Sequence, residues 1–385
     1  MLTSISNVNF DKIKHPFFIY KPTNLKRRVE YFLNNFSGKT LYAVKANPSN
    51  FILKKLYQLG IKSFDVASVN EIILVKTLFE DANIYFMNAI KPRYAISEAY
   101  FKYDVRHFSL DTNDELEKIL ESTNYANDLN LHLRVPVSND FSVIKLTEKF
   151  GVDENNSEEL LKKIKNFSKK VGICFHVGSQ CMSPTTYKLA INKVASLIKK
   201  SNVEIDYLNI GGGFPSKYVG MDPQPLSKYL NIINSEFAKH LKKNTKIILL
   251  SEPGRVLVSN SMSLVVRVDL RKKNKLYIND GIHGYLYNSG VHGFIHSMKI
   301  FKKTSESKLS SFSLYGPTCD SNDFISGPFL LPDSINEGDY IEIDEMGAYS
   351  ITMKNNFNGF FSSPKVFIKK ANFYNLISNN KVNTN

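Results

Sequence analysis

Leu41-Tyr42-Ala43-Val44-Lys45-Ala46-Asn47-Pro48 carries an apolar run, residues 40–44, into a lysine and then a helix-starting turn. The run reads as a buried strand. An ammonium where a core strand gives out is costly to bury, so such a lysine is paired, snorkels along apolar surface, or is used chemically. Taken alone, the stretch leaves a snorkelling lysine and a reactive one equally open. The rest of the chain decides between them.

From this strand a rhythm begins. Short apolar strands are predicted at residues 40–45, 63–66, 83–88, 105–111, 129–137, 171–177, 205–210 and 245–250. Helices are predicted between them at 51–59, 70–79, 93–103, 113–122, 157–168, 185–200 and 226–243, and one precedes them at 24–35, with Leu25, Val29, Phe32 and Leu33 at helical spacing. Strict alternation means parallel strands joined by helical crossovers. Eight repeats over roughly 230 residues match a (β/α)8 TIM barrel. A doubly wound open sheet is the runner-up, but no strand is followed by the Gly-x-Gly-x-x-Gly fingerprint that would support it.

Past Arg255 the rhythm changes. Strands at 256–258, 264–268, 275–278, 312–314, 340–343 and 365–368 follow one another without a long helical period. The expected organisation is a barrel over 24–255, then a β-rich C-terminal domain over 256–385, which the N-terminal segment 1–23, strand-like at 17–20, joins. The tail 378–385 is polar and expected to fray.

Composition bounds the function. The 385 residues suffice for two sizeable cores, and 43% hydrophobic with 22% charged residues is ordinary for a soluble protein. The net charge of +14 comes from lysine pairs such as Lys54-Lys55 and Lys199-Lys200, spread over the polar faces of helices. There is no long basic run and no nucleic-acid signature, so the charge reads as solvated surface that helps attract anionic ligands. Three widely spaced cysteines, Cys174, Cys181 and Cys319, argue against a disulfide framework or a structural zinc site. No signal peptide or membrane span is visible. A cytoplasmic protein is expected.

Barrel enzymes place their chemistry at the C-terminal ends of the strands. Here those ends carry Lys45, Asp65, Arg134, His176-Val177-Gly178-Ser179-Gln180, Gly211-Gly212-Gly213 and Ser251-Glu252-Pro253-Gly254-Arg255. Three glycines after a strand make a tight loop or a phosphate cradle. A second glycine turn beside an arginine on the next strand favours the cradle. His176 alone would be a satisfied core histidine. With a lysine, a cradle and a glutamate at the same mouth, the set points to pyridoxal phosphate. The lysine would bind the cofactor covalently, the glutamate would pair with its ring nitrogen, and the histidine would stack on the ring.

These motifs, with Phe64-Asp65-Val66-Ala67-Ser68, Gly213-Phe214-Pro215 and Gly316-Pro317-Thr318-Cys319-Asp320, occur in an order that resembles the fold-type III pyridoxal-phosphate decarboxylases. That family includes ornithine, lysine, diaminopimelate and carboxynorspermidine decarboxylases and has an alanine racemase-like barrel. The resemblance runs from about residue 42 to residue 360 and is nearest to ornithine decarboxylase. It implies that Lys45 holds the cofactor, Glu252 pairs with the ring nitrogen and His176 stacks. It implies that Ser179, Gly212, Gly213, Gly254, Arg255 and Tyr349 surround the phosphate, while Asp65 and Arg134 tune the inner mouth. Cys319 would return a proton after carbon dioxide leaves. Asp280 and Asp320 would hold the distal amine of a basic substrate, and Phe357 would close the pocket. It further implies a homodimer in which Cys319 and Asp320 reach into the partner's site. The expected activity is conversion of L-ornithine to putrescine, with lysine, carboxynorspermidine or diaminopimelate decarboxylation, or a non-decarboxylating homologue, as alternatives. No metal is implied. The segment from Asp280 to His296 departs from the family: His283 stands where tyrosine is usual, and His292 and His296 are unfamiliar.

Overall fold

The structure is a computed structural model that describes residues 3–4, 13–146, 149–241, 246–301, 308–360, 363–370 and 373–377. Eight parallel strands close into a barrel: Lys39–Ala43, Ser63–Val66, Asn83–Phe86, His107–Leu110, Asn130–Arg134, Lys170–Cys174, Tyr207–Asn209 and Ile248–Ser251. The ring shuts where Leu250 and Ser251 pair with Lys39 and Thr40. Leu41, Tyr85, Cys174, Tyr207 and Leu250 on the strands, with Met87 just past the third, form one apolar cluster, while the larger core packs the strands against their helices. Burial on both faces explains why these strands read as continuous apolar runs rather than as alternating ones.

Local chemistry sets the helix starts. Ser68 caps Val69–Leu78 by accepting the Glu71 N–H, and Glu71 reaches back to the Ala67 N–H at 2.7 Å. This fixes the loop that follows Asp65. Thr112 caps Asn113–Ser122 in the same manner, with two acids in the first turn.

The second sheet has ten strands among the described residues. At its centre Met262–Lys272 pairs antiparallel with Phe17–Tyr20, Tyr340–Ile343 and Lys275–Ile278. Phe17–Tyr20 is therefore built into the sheet that follows the barrel in sequence, and it also pairs parallel with Lys365–Lys370.

Two expectations are corrected. The first barrel strand stops at Ala43, and Val44–Ala46 is a 3-10 turn, so Lys45 sits in the turn rather than on the strand. The turn is held by the Asn47 N–H to Val44 and by the Asn47 amide, which donates to the Gly347 carbonyl at 2.8 Å. Residues 256–258, read as a strand, lie in a short helix, Arg255–Val258, whose residues are all buried. Three β-branched or apolar residues carry no period, so tertiary packing decided their conformation. Met298–Phe301, Phe324–Pro332 and Phe373–Ile377 are strands that the pattern did not announce. The tail 378–385 and Thr245 lie outside the described residues. No helix among those described is long and apolar enough to cross a membrane.

Candidate active site

Lys45 Nζ donates to Asp65 Oδ2 at 2.7 Å, joining the turn after the first strand to the second strand. Asp65 is buried, whereas the lysine side chain keeps 44% of its surface open to the mouth. Burial by itself would weaken the ammonium. Asp65, and after it Tyr349 and Glu252, outweigh burial and hold the proton on Lys45 well beyond the ordinary lysine range.

Glu252, at the end of the eighth strand, is buried and accepts from the Asn209 amide at 2.6 Å. Burial first, and repulsion from Asp65 second, push its carboxyl up to about 7 against the opposing pull of Lys45, Arg134 and Asn209. His176, after the sixth strand, accepts the Gly178 N–H on Nδ1 at 3.1 Å. Burial, with Arg134 and Lys45 adding to it, drives its pKa well below the usual histidine range. The ring is therefore neutral, with its proton on Nε2. Arg134 closes the fifth strand, and its charge bears on both Glu252 and His176.

The glycine turn shapes the wall beside His176. A Cβ on Gly212 would stand 2.5 Å from the Glu252 carbonyl, and Gly213 holds φ +98°. A side chain at either position would move the backbone away from the mouth. Arg255 lies beside this turn and is 5% exposed. It donates to Ser179 Oγ at 3.2 Å and to Tyr218 Oη at 2.9 Å, and the Tyr349 ring lies 4.8 Å from its guanidinium carbon. Tyr349 holds φ +56°, with its N–H on the Ala46 carbonyl. Gly254 packs against Ala46.

Cys319, Asp320, Asp280 and Phe357 form a second set, on loops of the ten-stranded sheet. Cys319 is the exposed cysteine; Cys174 and Cys181 are buried. Its N–H donates to Asn358 Oδ1 at 3.1 Å. Asp320 accepts from Asn322 N–H at 2.9 Å and lies 2.8 Å from His283 Nε2; these contacts, Asn322 first, hold its carboxyl below the usual aspartate range. The Asn355 amide lies 3.1 Å from His283 Nδ1, and the Phe357 ring packs 4.6 Å from the imidazole. Asp280 is different. Burial pushes its carboxyl up to about 8, although the Tyr285 N–H and Lys354 oppose the rise. Asp280, His283 and Phe357 line a cavity of about 260 Å³ together with Thr318, Asp323 and Lys354. Among the described residues no hydrogen bond or ion pair links Cys319, Asp320 or Phe357 to Lys45.

Sequence reading missed Asn209, Tyr218, Asn355 and Asn358. Asn209 carries a usable signal, an amide in a fully buried strand just before the glycine turn. Tyr218 lies in a loop and carries none.

Residues 23–259 match the family model for the pyridoxal binding domain of pyridoxal-dependent decarboxylases. The chain belongs to this family. It is 31% identical over 364 residues to a probable ornithine decarboxylase of Dictyostelium discoideum, covering 88% of this chain and 76% of that protein. It is 32% identical over 387 residues to antizyme inhibitor 2 of Xenopus laevis, covering 94% and 82%. The structure of a lysine/ornithine decarboxylase from Vibrio vulnificus, complexed with cadaverine, superposes with a TM-score of 0.80 at 25% identity, covering 94% and 96%.

The protein is thus a pyridoxal-phosphate-dependent decarboxylase of basic amino acids. The residues present fit the cofactor. A buried arginine with an unpartnered Nε and no carboxylate within 4 Å among the described residues suits a phosphate. A buried carboxyl that titrates near neutrality suits the ring nitrogen. When bound, the cofactor supplies an electron sink for the pair released as the α-carboxylate departs. The decarboxylase contributes a lysine at the centre of the mouth and a neutral imidazole beside it.

Proposed function

We propose that this decarboxylase converts L-ornithine, with uptake of one proton, to putrescine and carbon dioxide, in the cytoplasm and as a homodimer with sites shared across the interface. The observation that carries the substrate reading is Asp320, an acid-strengthened carboxylate at the protein surface beside the exposed thiol of Cys319. A carboxylate kept ionised by an N–H and an imidazole suits a distal ammonium. Asp280, neutral near pH 7 in the free protein, would ionise as that ammonium arrives, because a neighbouring positive charge lowers a carboxyl pKa. Cys319 would deliver the proton to the substrate carbon, and Phe357 would cover the chain of the substrate. Lys45 would hold the cofactor, Glu252 its ring nitrogen, His176 its face, and Ser179, Gly212, Gly213, Gly254, Arg255 and Tyr349 its phosphate, with Asp65 and Arg134 setting the charge beneath. A barrel at 24–255 and a β domain at 256–385 joined by 1–23 is the matching division of the chain.

One observation supports a shared site. Among the described residues no hydrogen bond or ion pair joins Cys319 or Asp320 to Lys45 of the same chain, and a second copy would bring the loops that carry them to the mouth. L-Lysine is the second reading, because the Vibrio vulnificus enzyme is named for both substrates and is complexed with cadaverine. The deciding experiment is carbon dioxide release by the purified holoenzyme from L-ornithine, L-lysine, L-arginine, meso-diaminopimelate and carboxynorspermidine. Ornithine should give the highest kcat/KM. A clear preference for another compound replaces ornithine, and no release from any, with normal cofactor absorbance, would make the chain a non-decarboxylating homologue.

A further inference from the structure

The unfamiliar segment that carries His292 and His296 packs beside Arg255. Phe294 is fully buried, and its ring centroid lies 4.8 Å from the guanidinium carbon. Tyr218 stacks on Phe294 with centroids 4.7 Å apart and planes within 4°, and its hydroxyl accepts the Arg255 NH1 bond. His296 meets the Tyr218 ring edge-on at 5.1 Å. The pair of loops is pinned by a backbone bond from Val219 N–H to the Ile295 carbonyl, 2.9 Å. Tyr349 supplies a further ring at 4.8 Å. Arg255 is thus a buried cation held by aromatic faces and two hydroxyl groups. Among the described residues no carboxylate stands within ion-pair reach, and its Nε has no partner.

A guanidinium is rarely buried without an anion, because its desolvation goes uncompensated. Aromatic faces offset part of that cost without consuming N–H donors. His296 adds no competing positive charge. It donates from Nδ1 to the Asp344 carbonyl at 2.7 Å, and burial drives its pKa down to about 4.

We propose that Tyr218, Phe294 and His296 form a positioning cage that holds Arg255 ready for a phosphate monoester, so that this segment sets affinity for the phosphate end of the cofactor and not for its ring. The proposal rests on the reading of Arg255 as the phosphate anchor. A carboxylate partner would have satisfied the arginine and left it weak toward phosphate. A stacked pair of rings fixes its plane and leaves donors free.

The test is equilibrium binding to cofactor-stripped protein, followed by absorbance, with pyridoxal phosphate and with pyridoxal, which lacks the phosphate. Arg255→Gln examines the anchor; Phe294→Leu and Tyr218→Phe examine the cage, with Phe294→Trp as the conservative rescue. Phe294→Leu should weaken pyridoxal phosphate about tenfold, the scale of one lost cation–π face, and leave pyridoxal unchanged. Phe294→Trp should restore most of the affinity. Equal weakening of both ligands would reduce the segment to a structural support and overturn the cage. Unchanged binding in Phe294→Leu and Tyr218→Phe, while Arg255→Gln is crippled toward pyridoxal phosphate alone, would refute the cage and keep the anchor. An Arg255→Gln protein that binds pyridoxal phosphate normally would remove the anchor and the cage together.

Discussion

Lys45 and Cys319 stand in opposite physical settings. Around Lys45, five barrel strands and their loops bring Asp65, Arg134, His176, Glu252 and Arg255 to one mouth, and burial moves two proton affinities far: Glu252 up to about 7, His176 well below its usual range. Around Cys319 the thiol is exposed, Asp320 is partly open, and the groups are tied by short bonds: Cys319 N–H to the Asn358 side chain, His283 to Asp320 and Asn355 to His283. The first region can tune its charges within one chain because protein excludes water there. The second is a set of oriented groups that still faces solvent. A reaction that must first stabilise charge and then deliver a proton to carbon can divide its work in this way. On the proposed reading, the enclosed half would hold the cofactor and the open half would meet the substrate.

Substitutions at four positions sharpen or break this contrast. Lys45→Ala should have the largest effect, a loss of turnover of more than about a thousandfold, the scale of removing a covalent centre, together with loss of the cofactor's lysine-linked visible absorbance. An unchanged spectrum would take Lys45 out of the site. Cys319→Ala comes next: turnover should fall by roughly a hundredfold or more, as for a lost proton donor, with the spectrum intact. Mixing these two inactive proteins gives the sharpest check. If sites are shared, about a quarter of wild-type activity should return, since half of randomly formed dimers are mixed and each has one whole site. No recovery, with mixed dimers demonstrated, would place both residues in one chain's site. Asp320→Ala should lower kcat/KM for L-ornithine by roughly a hundredfold, the scale of truncating one partner of a charge pair, chiefly through KM. His283→Gln, which keeps a donor toward Asp320, should raise KM only about threefold, and His283→Phe more. Equal effects of the two would show that the ring's bulk, and not its N–H, is what counts.

The enclosed region also predicts a pH dependence. Glu252 has its pKa raised from 4.5 to about 7 in the fold. Its contribution to the stability of the cofactor-free protein is therefore complete below pH 4.5 and lost as pH rises through 7, at up to about 1.4 kcal/mol per unit. Glu252→Gln should flatten the fall in Tm between pH 5 and 8, leaving the part due to Asp280 and Glu345, whose carboxyls are also raised. An identical pH profile in the variant would mean that Glu252 is better solvated than its burial implies.

Much of the barrel was legible. Continuous apolar runs alternating with amphipathic helices leave little choice of topology, and the rule that barrel sites lie at strand ends picked out Lys45, Asp65, His176, Gly212, Glu252 and Arg255 before any contact was visible. The strand Phe324–Pro332 was not legible, because Gly327-Pro328 reads as a break. The structure places it at the end of the sheet order, where an absent N–H costs no ladder bond. Residues 256–258 failed for the opposite reason: a good strand composition was overruled by burial on every side.

The sequence by itself determined the period of the barrel, the order of its motifs and the chemistry available at each strand end, because these depend on residue type and spacing along the chain. Only the tertiary structure decided which groups share a field and which do not. The pull of Asp65 on Lys45, the bond from Asn209 to Glu252 and the rings around Arg255 all join residues apart in sequence, through distances and burial that no local pattern encodes.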